Sequence, residues 1–314
     1  MNESSIDNRK STIGNRRTGT REWSEHSVNC CLGCSHGCLY CYARYAALHP
    51  RWGKPQIGSG ADWGIERPFP QAARPPRRSP YPGVVMFPTT HDITPGNLDA
   101  CQNTLARLLE AGNQVLVVSK ARRDGLGPLL PLLAGHKGQV EVRISIGALD
   151  ERLRAFWEPG APPFAERVAI LKQFHAAGVP TSVSCEPLLD PPAARQLVEW
   201  VQPYVSGTIW IGMANKLRFR TAWMFDPDLM TGESLLQDLR REIERLEAWQ
   251  TPEKVRQVYE SVKDNPKIRW KDSYRVALAK QGIKVEQGTW RYNKPVSPCY
   301  STREAAAKEA KKCE

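Results

Sequence analysis

Three cysteines stand close together in the segment Cys34-Ser-His-Gly-Cys38-Leu-Tyr-Cys41. Their spacing places three thiols in one short loop. Three closely spaced thiolates can hold three irons of a four-iron, four-sulfur cluster and leave the fourth iron open. An open iron can bind a small molecule and react with it, whereas a closed four-cysteine cluster usually only carries electrons. The spacing therefore indicates reaction chemistry at a metal cluster.

Zinc is the alternative occupant of this loop. Cys31 with Cys34, and Cys38 with Cys41, form two C-x-x-C pairs. However, only three residues separate the pairs, where zinc sites of this kind usually place about a dozen or more. If Cys34, Cys38 and Cys41 alone held the zinc, a fourth protein ligand would be required. His36 could supply one, although a loop residue that faces solvent or donates a hydrogen bond to sulfur is the simpler interpretation. The cluster is therefore favoured over zinc.

The loop, with Tyr42 directly after its last cysteine, resembles the cluster-binding loop of the radical S-adenosylmethionine (SAM) superfamily. In that family the open iron binds the methionine end of SAM, and one electron from the cluster cleaves SAM to a 5′-deoxyadenosyl radical. The resemblance implies a [4Fe–4S] cluster held by Cys34, Cys38 and Cys41, and SAM as the second cofactor. It also implies a protein reductant such as flavodoxin or ferredoxin.

The centre of the chain alternates short apolar runs with helical segments, which is typical of a parallel α/β sheet. Strands are predicted near 23–28 and at 83–87, 114–119, 140–146, 181–185 and 207–211, and helices at 97–111, 126–133, 163–177 and 193–201. Ligands of such sheets bind at the carboxyl ends of the strands. About six strands are available, too few for a closed eight-stranded barrel. The radical SAM resemblance implies a partial (β/α)6 barrel.

Three regions are predicted along the chain. A polar N-terminal arm spans 1–21, the partial barrel spans 22–215, and a mostly helical, basic C-terminal extension spans 216–314. The stretch 51–82 is rich in Pro, Gly and Arg and is predicted to be an insertion or a lid. No run of about twenty apolar residues is present, so no membrane span is expected. The polar start predicts no signal peptide, and nine cysteines without one indicate a reducing, cytoplasmic setting.

Within the superfamily, residues 22–215 resemble the spore photoproduct lyase-like branch. The matching pieces are the cysteine loop with its two tyrosines, the strand end that leads to Lys120, and the segment from Glu158 to Pro162. The resemblance implies a SAM site formed by Tyr40 against the adenine, Tyr42 beside the pocket, Thr90 near the methionine group, and Lys120 and Ser145 near its carboxylate or ribose. Glu158 and Arg167 either contact SAM or form an internal ion pair. Equally, Lys120 could extend to solvent and Ser145 could be an ordinary strand residue.

One departure from that branch concerns hydrogen return. Spore photoproduct lyases carry a cysteine after the second strand, where this chain has no cysteine between Met86 and Asp92. Cys101 falls in a predicted helix core. Cys185, at the end of the fifth strand, is either a radical quencher or a small buried residue. His91 and Asp92 could manage protons above the cluster, or could bond locally as loop residues. Photoproduct repair is therefore not implied.

The net charge of +11 is unevenly distributed. Residues 1–82 hold 12 Lys and Arg against 6 Asp and Glu, 251–314 hold 15 against 8, and 83–250 hold 17 against 19. The basic ends suggest contact with DNA or RNA, and so do the alternating aromatic and basic residues at 269–275 and 290–292. A basic surface that only contacts solvent is the alternative. The sequence thus predicts a radical SAM enzyme with a nucleic-acid or nucleotide-like substrate. A peptide or small-molecule substrate, or a non-catalytic iron–sulfur sensor that binds nucleic acid, stays open.

Overall fold

The structure, a computed structural model, describes residues 19–49, 55–70, 80–225 and 232–285. Of the compact unit Val285–Glu314, only Val285 is described, so the fold below is that of the unit ending at Lys284. Most of the predicted N-terminal arm, parts of the predicted lid (51–54 and 71–79) and the aromatic–basic segment 290–292 lie outside the described residues.

Strands and helices alternate along the described chain. The strands are β1 His26–Ser27, β2 Cys31–Leu32, β3 Arg67–Pro68, β4 Val84–Phe87, β5 Gln114–Ser119, β6 Val140–Ser145, β7 Thr181–Cys185, β8 Ile209–Ile211 and β9 Ile268–Trp270. The helices are α1 Tyr42–Leu48, α2 Leu98–Glu110, α3 Leu130–Gly135, α4 Glu151–Trp157, α5 Phe164–Ala176, α6 Ala194–Val201, α7 Leu217–Arg220, α8 Glu233–Ala248, α9 Pro252–Val262 and α10 Asp272–Ala279. Among the described residues, no helix is long and apolar enough to cross a membrane.

The main sheet confirms the predicted fold class. Seven strands pair in the order β1-β4-β5-β6-β7-β8-β9, and every pairing in this sheet is parallel. The six predicted strands are all present, and β2 and β3 form a separate antiparallel pair beside the cysteine loop. The seventh strand, β9, was not predicted. It comes from the segment that the sequence analysis assigned to the C-terminal extension.

The sheet curls into a partial barrel. Strands in a sheet lie about 4.8 Å apart, so five steps would separate β1 from β8 by roughly 24 Å in a flat sheet. Trp23, just before β1, nevertheless contacts Trp210 of β8 edge to face, with ring centroids 6.0 Å apart. Lys271, directly after β9, bonds back to Glu22 at 3.0 Å. These contacts require strong curvature, as a partial barrel has.

The strand β9 explains the basic–aromatic segment near 270. Trp270, Lys271 and Tyr274 are 4%, 1% and 2% exposed. Their rings and the lysine stem are packed in the fold, and Lys271 also pairs with Glu186 at 3.3 Å. These three side chains cannot stack on nucleic-acid bases. At these three positions the alternating aromatic and basic residues belong to the core of the fold and not to a nucleic-acid surface. Contact of other residues with nucleic acid stays a prediction.

Candidate functional site

A cavity of about 550 Å³ opens at the carboxyl ends of the parallel strands. It brings together ten of the predicted site residues: Cys34, Cys38, Cys41, Tyr40, Tyr42, Thr90, His91, Asp92, Lys120 and Ser145. These residues come from the cysteine loop and from the ends of β4, β5 and β6. This is where the sequence analysis placed a ligand. Glu158, Arg167 and Cys185 are not part of the cavity lining.

The three loop cysteines fit a group larger than a single ion. All three are free thiols; Cys34 and Cys38 are buried, and Cys41 is half-buried. A tetrahedral zinc with Zn–S bonds of about 2.3 Å holds its sulfurs roughly 3.8 Å apart. In the described part of the chain, these three thiols are not gathered within 4.8 Å of one another. Burial raises the pKa of Cys38 to about 12, so the thiolate form requires a metal or another positive charge.

A buried arginine lies beside these cysteines. Arg44 is 4% exposed, and its guanidinium stacks over Trp223 at 4.3 Å from the ring centroid. Its Nε has no hydrogen-bond partner, and within the described residues no carboxylate pairs with it. Burial lowers the pKa of Arg44, and the nearby thiols of Cys41, Cys38 and Cys34 act in the opposite direction. A buried cation without a carboxylate is costly unless an anion balances it. A negatively charged thiolate-bound cluster is such an anion.

Two segments fix the backbone of the cysteine loop. Cys34 N–H donates to Trp63 O at 2.8 Å, from the described part of the predicted lid. On the other side, Leu39 N–H donates to Trp157 O and Gly160 N–H donates to His36 O, both at 2.9 Å. The segment that begins at Glu158 therefore supports the loop rather than lining the cavity.

Gly160 is required by this close approach. A Cβ at Gly160 would overlap Ser35 O and lie 3.0 Å from His36 O, and both obstacles are backbone atoms that cannot swing away. We expect Gly160→Ala to displace the cysteine loop and to lower the iron bound after reconstitution to less than about half of the wild-type amount. The matched control is Gly135→Ala, because a Cβ at Gly135 meets no atom within 4 Å. Equal iron content in both variants would show that the loop does not depend on this contact.

A buried charge network lies behind Tyr40. Lys120 Nζ donates to Glu158 Oε1 at 2.8 Å and to Tyr40 OH at 3.0 Å. Arg167 donates to the other oxygen of Glu158 and, at 2.9 Å, to Ser145 O. Burial alone would raise the pKa of Glu158, but Arg167 and Lys120 hold it well below its usual range. The structure thus shows the internal ion pair that the sequence analysis left open for Glu158 and Arg167.

Asp92 is saturated with hydrogen bonds. Its Oδ1 accepts from Ser119 Oγ at 2.5 Å and from Ile93 N–H at 2.7 Å, and its Oδ2 accepts from Lys120 N–H at 2.8 Å. His36 Nδ1 lies 3.2 Å from the same Oδ2. Burial would raise the pKa of Asp92, but His36 and these donors depress it below its usual range. A carboxylate held this firmly in the charged form is a poor proton carrier at neutral pH.

His91 uses both ring nitrogens within the fold. Its Nε2 accepts from Cys30 N–H at 3.1 Å, and its Nδ1 lies 3.0 Å from Asp92 O, which only a protonated Nδ1 can satisfy. This geometry favours local bonding, the alternative that the sequence analysis kept beside proton transfer. Asn29, after β1, fixes the same loop by accepting from the N–H groups of Thr89 and Thr90 at 2.8 and 2.9 Å.

Cys185 does not itself line the cavity. It is 1% exposed, and burial raises the pKa of its thiol to about 12. Cys185 is thus a buried thiol, and its burial agrees with the second of the two interpretations without excluding the first. Its chain neighbours Ser184 and Glu186 both line the cavity, so a quenching role for Cys185 stays a prediction.

The cavity also contains residues that the sequence did not reveal. They come from the ends of β7 and β8 and from α7: Ser184, Glu186, Met213, Asn215 and Arg220. Ser184 is the register partner of Ser145 on the neighbouring strand, and its buried hydroxyl has no hydrogen-bond partner among the described residues. Burial lowers the pKa of Arg220, which the charge of Glu186 opposes. The only sequence signal was their place after predicted strands.

Comparisons with known proteins give distant similarities. No protein-family model matches the chain. An uncharacterized protein of Acidianus two-tailed virus, ORF301, is 27% identical over 184 residues, which are 55% of this chain and 59% of the viral protein. The aligned part thus spans less than two thirds of the viral protein.

Two solved structures are similar to this chain at low identity. A spore photoproduct lyase mutant with bound AdoMet and dinucleoside spore photoproduct has 16% identity and a TM-score of 0.47, over 71% of this chain and 74% of that chain. Streptococcus suis SuiB bound to S-adenosylmethionine has 14% identity and a TM-score of 0.37, over 60% of this chain and 36% of that chain.

Proposed function

We propose that this protein is a radical SAM enzyme. The observation that carries the proposal is the position of three free cysteines of one loop in a cavity at the carboxyl ends of a parallel, curled sheet. When bound there, a [4Fe–4S] cluster with an open iron supplies the electron that cleaves SAM to a 5′-deoxyadenosyl radical. The residues around the cysteines hold charges and hydrogen-bonding groups that fit these two cofactors.

The lysine of the buried network has a donor left for a ligand. An ammonium group has three N–H donors, and Lys120 uses two of them on Glu158 and Tyr40. Its side chain is 15% exposed and lines the cavity. Burial by itself would lower the pKa of Lys120, but the charge of Glu158 outweighs burial and raises it. Lys120 is therefore a fixed cation that can donate its third hydrogen to a carboxylate or a ribose hydroxyl.

The two paired serines supply neutral donors beside this cation. Ser145 and Ser184 stand opposite each other on β6 and β7, and both line the cavity. Among the described residues the buried hydroxyl of Ser184 has no hydrogen-bond partner. A polar ligand in the cavity would supply one. We assign Lys120, Ser145 and Ser184 to the polar part of SAM, and Tyr40 to its adenine.

A nucleotide-like substrate is supported by Arg220, which lies at the end of α7 and lines the cavity. Among the described residues Arg220 forms no salt bridge, although the charge of Glu186 acts on it. The preceding residue, Phe219, is 53% exposed and contacts Tyr45 in a tilted arrangement with ring centroids 4.1 Å apart. An arginine in the cavity, next in the chain to an exposed aromatic ring, suits recognition of a nucleotide or a single strand. The basic charge of residues 1–82 and 251–314 points in the same direction.

The enzyme proposal is tested by anaerobic reconstitution with iron and sulfide, followed by reduction in the presence of SAM. The expected products are 5′-deoxyadenosine and methionine in equal amounts. Reconstituted protein that contains the cluster but forms neither product would overturn the proposal. That result would support the alternative of a non-catalytic redox sensor.

The nucleotide-like substrate is tested separately by binding to short single-stranded DNA and RNA. We expect the affinity to fall as the salt concentration rises. In Arg220→Gln the slope of log affinity against log salt concentration should be smaller by about one, because one phosphate contact is lost. Arg195→Gln is the control, because Arg195 is an exposed arginine of α6 that does not line the cavity. No binding at low salt would exclude a nucleic-acid polymer as the substrate and leave the radical SAM assignment untouched.

The buried Arg44 is expected to tune the cluster. Removing one positive charge beside an anionic cluster favours its oxidised form, because reduction adds a further negative charge. Arg44→Met should therefore make the midpoint potential more negative by a few tens of millivolts, on the order expected for one buried charge. The measurement is a redox titration followed by electron paramagnetic resonance, with Arg195→Met as control. Identical potentials in both variants would show that Arg44 does not balance the cluster charge.

A further inference from the structure

A second group of potential metal ligands adjoins the cavity: His91 is part of the cavity lining, and Cys30 and Cys101 are not. Cys30 follows β1, His91 follows β4, and Cys101 belongs to α2. Their exposed fractions are 1%, 8% and 0%. Cys30 Sγ lies 3.7 Å from His91 Nε2 and 3.6 Å from Cys101 Sγ. Three elements that are far apart in sequence thus converge on one buried point with two thiols and an imidazole.

The spacing of these atoms matches a tetrahedral ion. Zinc bonds of about 2.3 Å to sulfur and about 2.0–2.1 Å to nitrogen place two sulfurs roughly 3.8 Å apart, and sulfur and nitrogen roughly 3.6 Å apart. In the described part of the chain, this is the one group of three such side chains whose ligand atoms all lie within 4.8 Å of one another. The cysteines of the cluster loop do not meet that spacing. The two groups are therefore suited to different occupants.

The second ring nitrogen of His91 has the partner that metal-bound histidines usually have. A ligating imidazole almost always donates its other N–H to a carboxylate, a backbone carbonyl or water, which fixes the ring. His91 Nδ1 lies 3.0 Å from Asp92 O. Asn97 contributes to the same surroundings: its Oδ1 lies 3.2 Å from Cys101 Sγ, and its Nδ2 donates to Asp92 O at 2.9 Å.

We propose that Cys30, His91 and Cys101 bind one Zn²⁺, at a site separate from the three cysteines of the cluster loop. Soft thiolates with one imidazole are a donor set that selects zinc. Both thiols lose their protons when the ion binds, and the ion replaces the hydrogen bond from Cys30 N–H to His91 Nε2. The fourth position is taken by Asn97 Oδ1 or by water. The ion would join α2 to the loop 88–92, and so fix residues that line the cavity.

The first test is elemental analysis of the full-length protein purified without oxygen. We expect about one zinc per chain, in addition to cluster iron, and its loss in Cys101→Ser. Cys185→Ser is the control, because Cys185 is, like Cys101, a fully buried thiol but does not belong to this group of ligands. Zinc unchanged in Cys101→Ser, or absent from wild type after growth with added zinc, would overturn the proposal.

The second test excludes zinc held by the cluster loop. A full-length variant with Cys34→Ala, Cys38→Ala and Cys41→Ala retains only the second group. Titrated with Co²⁺, it should bind about one equivalent, with thiolate-to-cobalt absorption that Zn²⁺ abolishes. Adding Cys30→Ser should remove the absorption while circular dichroism stays unchanged. The zinc site would be contradicted if the folded triple variant showed no thiolate-to-cobalt absorption. It would also be contradicted if peptide mapping of freshly purified protein found a Cys30–Cys101 disulfide. Neither result depends on whether the protein cleaves SAM.

Discussion

Replacing Cys38 with alanine is expected to abolish both iron binding and SAM cleavage. Cys38 is the central cysteine of the loop, lies in the cavity, and is 7% exposed, so no solvent ligand can readily take its place. A cluster that leaves one iron open for SAM has only three protein ligands, and losing one leaves two. Iron and sulfide per chain should fall to background after reconstitution, and 5′-deoxyadenosine should become undetectable.

The control for this prediction is Cys185→Ala, which removes a different buried thiol, located at the end of β7. Cys185 lies outside the cavity lining, so iron content and SAM cleavage should stay close to wild type, even if the protein is somewhat less stable. Iron retained at wild-type level in Cys38→Ala would mean that the loop does not hold the cluster. Loss of iron in both variants would indicate unfolding, and circular dichroism would reveal it.

The second large effect is expected on stability, from Glu158→Gln. This change keeps the shape of the side chain but removes the negative charge between Lys120 and Arg167. The Arg167 side chain is 1% exposed and that of Lys120 is 15% exposed, so two cations would be left in a poorly solvated place. Breaking a buried ion pair from one side usually costs about 3–5 kcal/mol. We expect the free energy of unfolding at pH 7 to fall by about 3 kcal/mol.

The effect of Glu158→Gln should depend on pH in a defined direction. Because the pKa of Glu158 is held below its usual range in the folded protein, its contribution is fully present above the unfolded pKa, about 4.3. It is lost as the pH falls through the folded pKa. The difference between wild type and variant should therefore be constant from pH 7 to pH 5 and shrink below about pH 4. Urea unfolding at each pH measures it.

Glu199→Gln provides the matched control for this experiment. Glu199 pairs with Arg195 on the surface of α6, where the two side chains are 51% and 72% exposed. Solvent screens such pairs, so its removal should leave stability unchanged within measurement error. Equal effects of Glu158→Gln and Glu199→Gln would contradict the account of the buried network.

The sequence revealed the parts of the site that local spacing controls. The cysteine loop is one continuous segment, and the residues that follow β4, β5 and β6 must share one edge of a parallel sheet. Thr90, Lys120 and Ser145 could therefore be placed together before the structure. The strand β9 was missed because it has only three residues, Ile268–Trp270, in a basic region of the sequence. Three residues are too few to show the alternation of apolar and polar side chains that indicates a strand.

The residues that contact the site residues from distant parts of the sequence could not be predicted. Arg44 and Trp223 lie far apart in sequence, and their stacking depends on how the segment after β8 folds against the cysteine loop. His91 and Asp92 are neighbours in sequence but bond to different elements, one to Cys30 and the other to Ser119. Such hydrogen bonds over long sequence separations depend on the tertiary fold, and no pattern of spacing encodes them.

The central claim, that the loop cysteines hold a cluster that binds SAM directly, is tested by electron paramagnetic resonance of the reduced, reconstituted protein. Spectra recorded with and without SAM report whether SAM reaches the iron. We predict the signal of a reduced [4Fe–4S] cluster and a change of its g values when SAM is added, with no such signal in Cys38→Ala. A cluster signal that SAM leaves unchanged would contradict the claim.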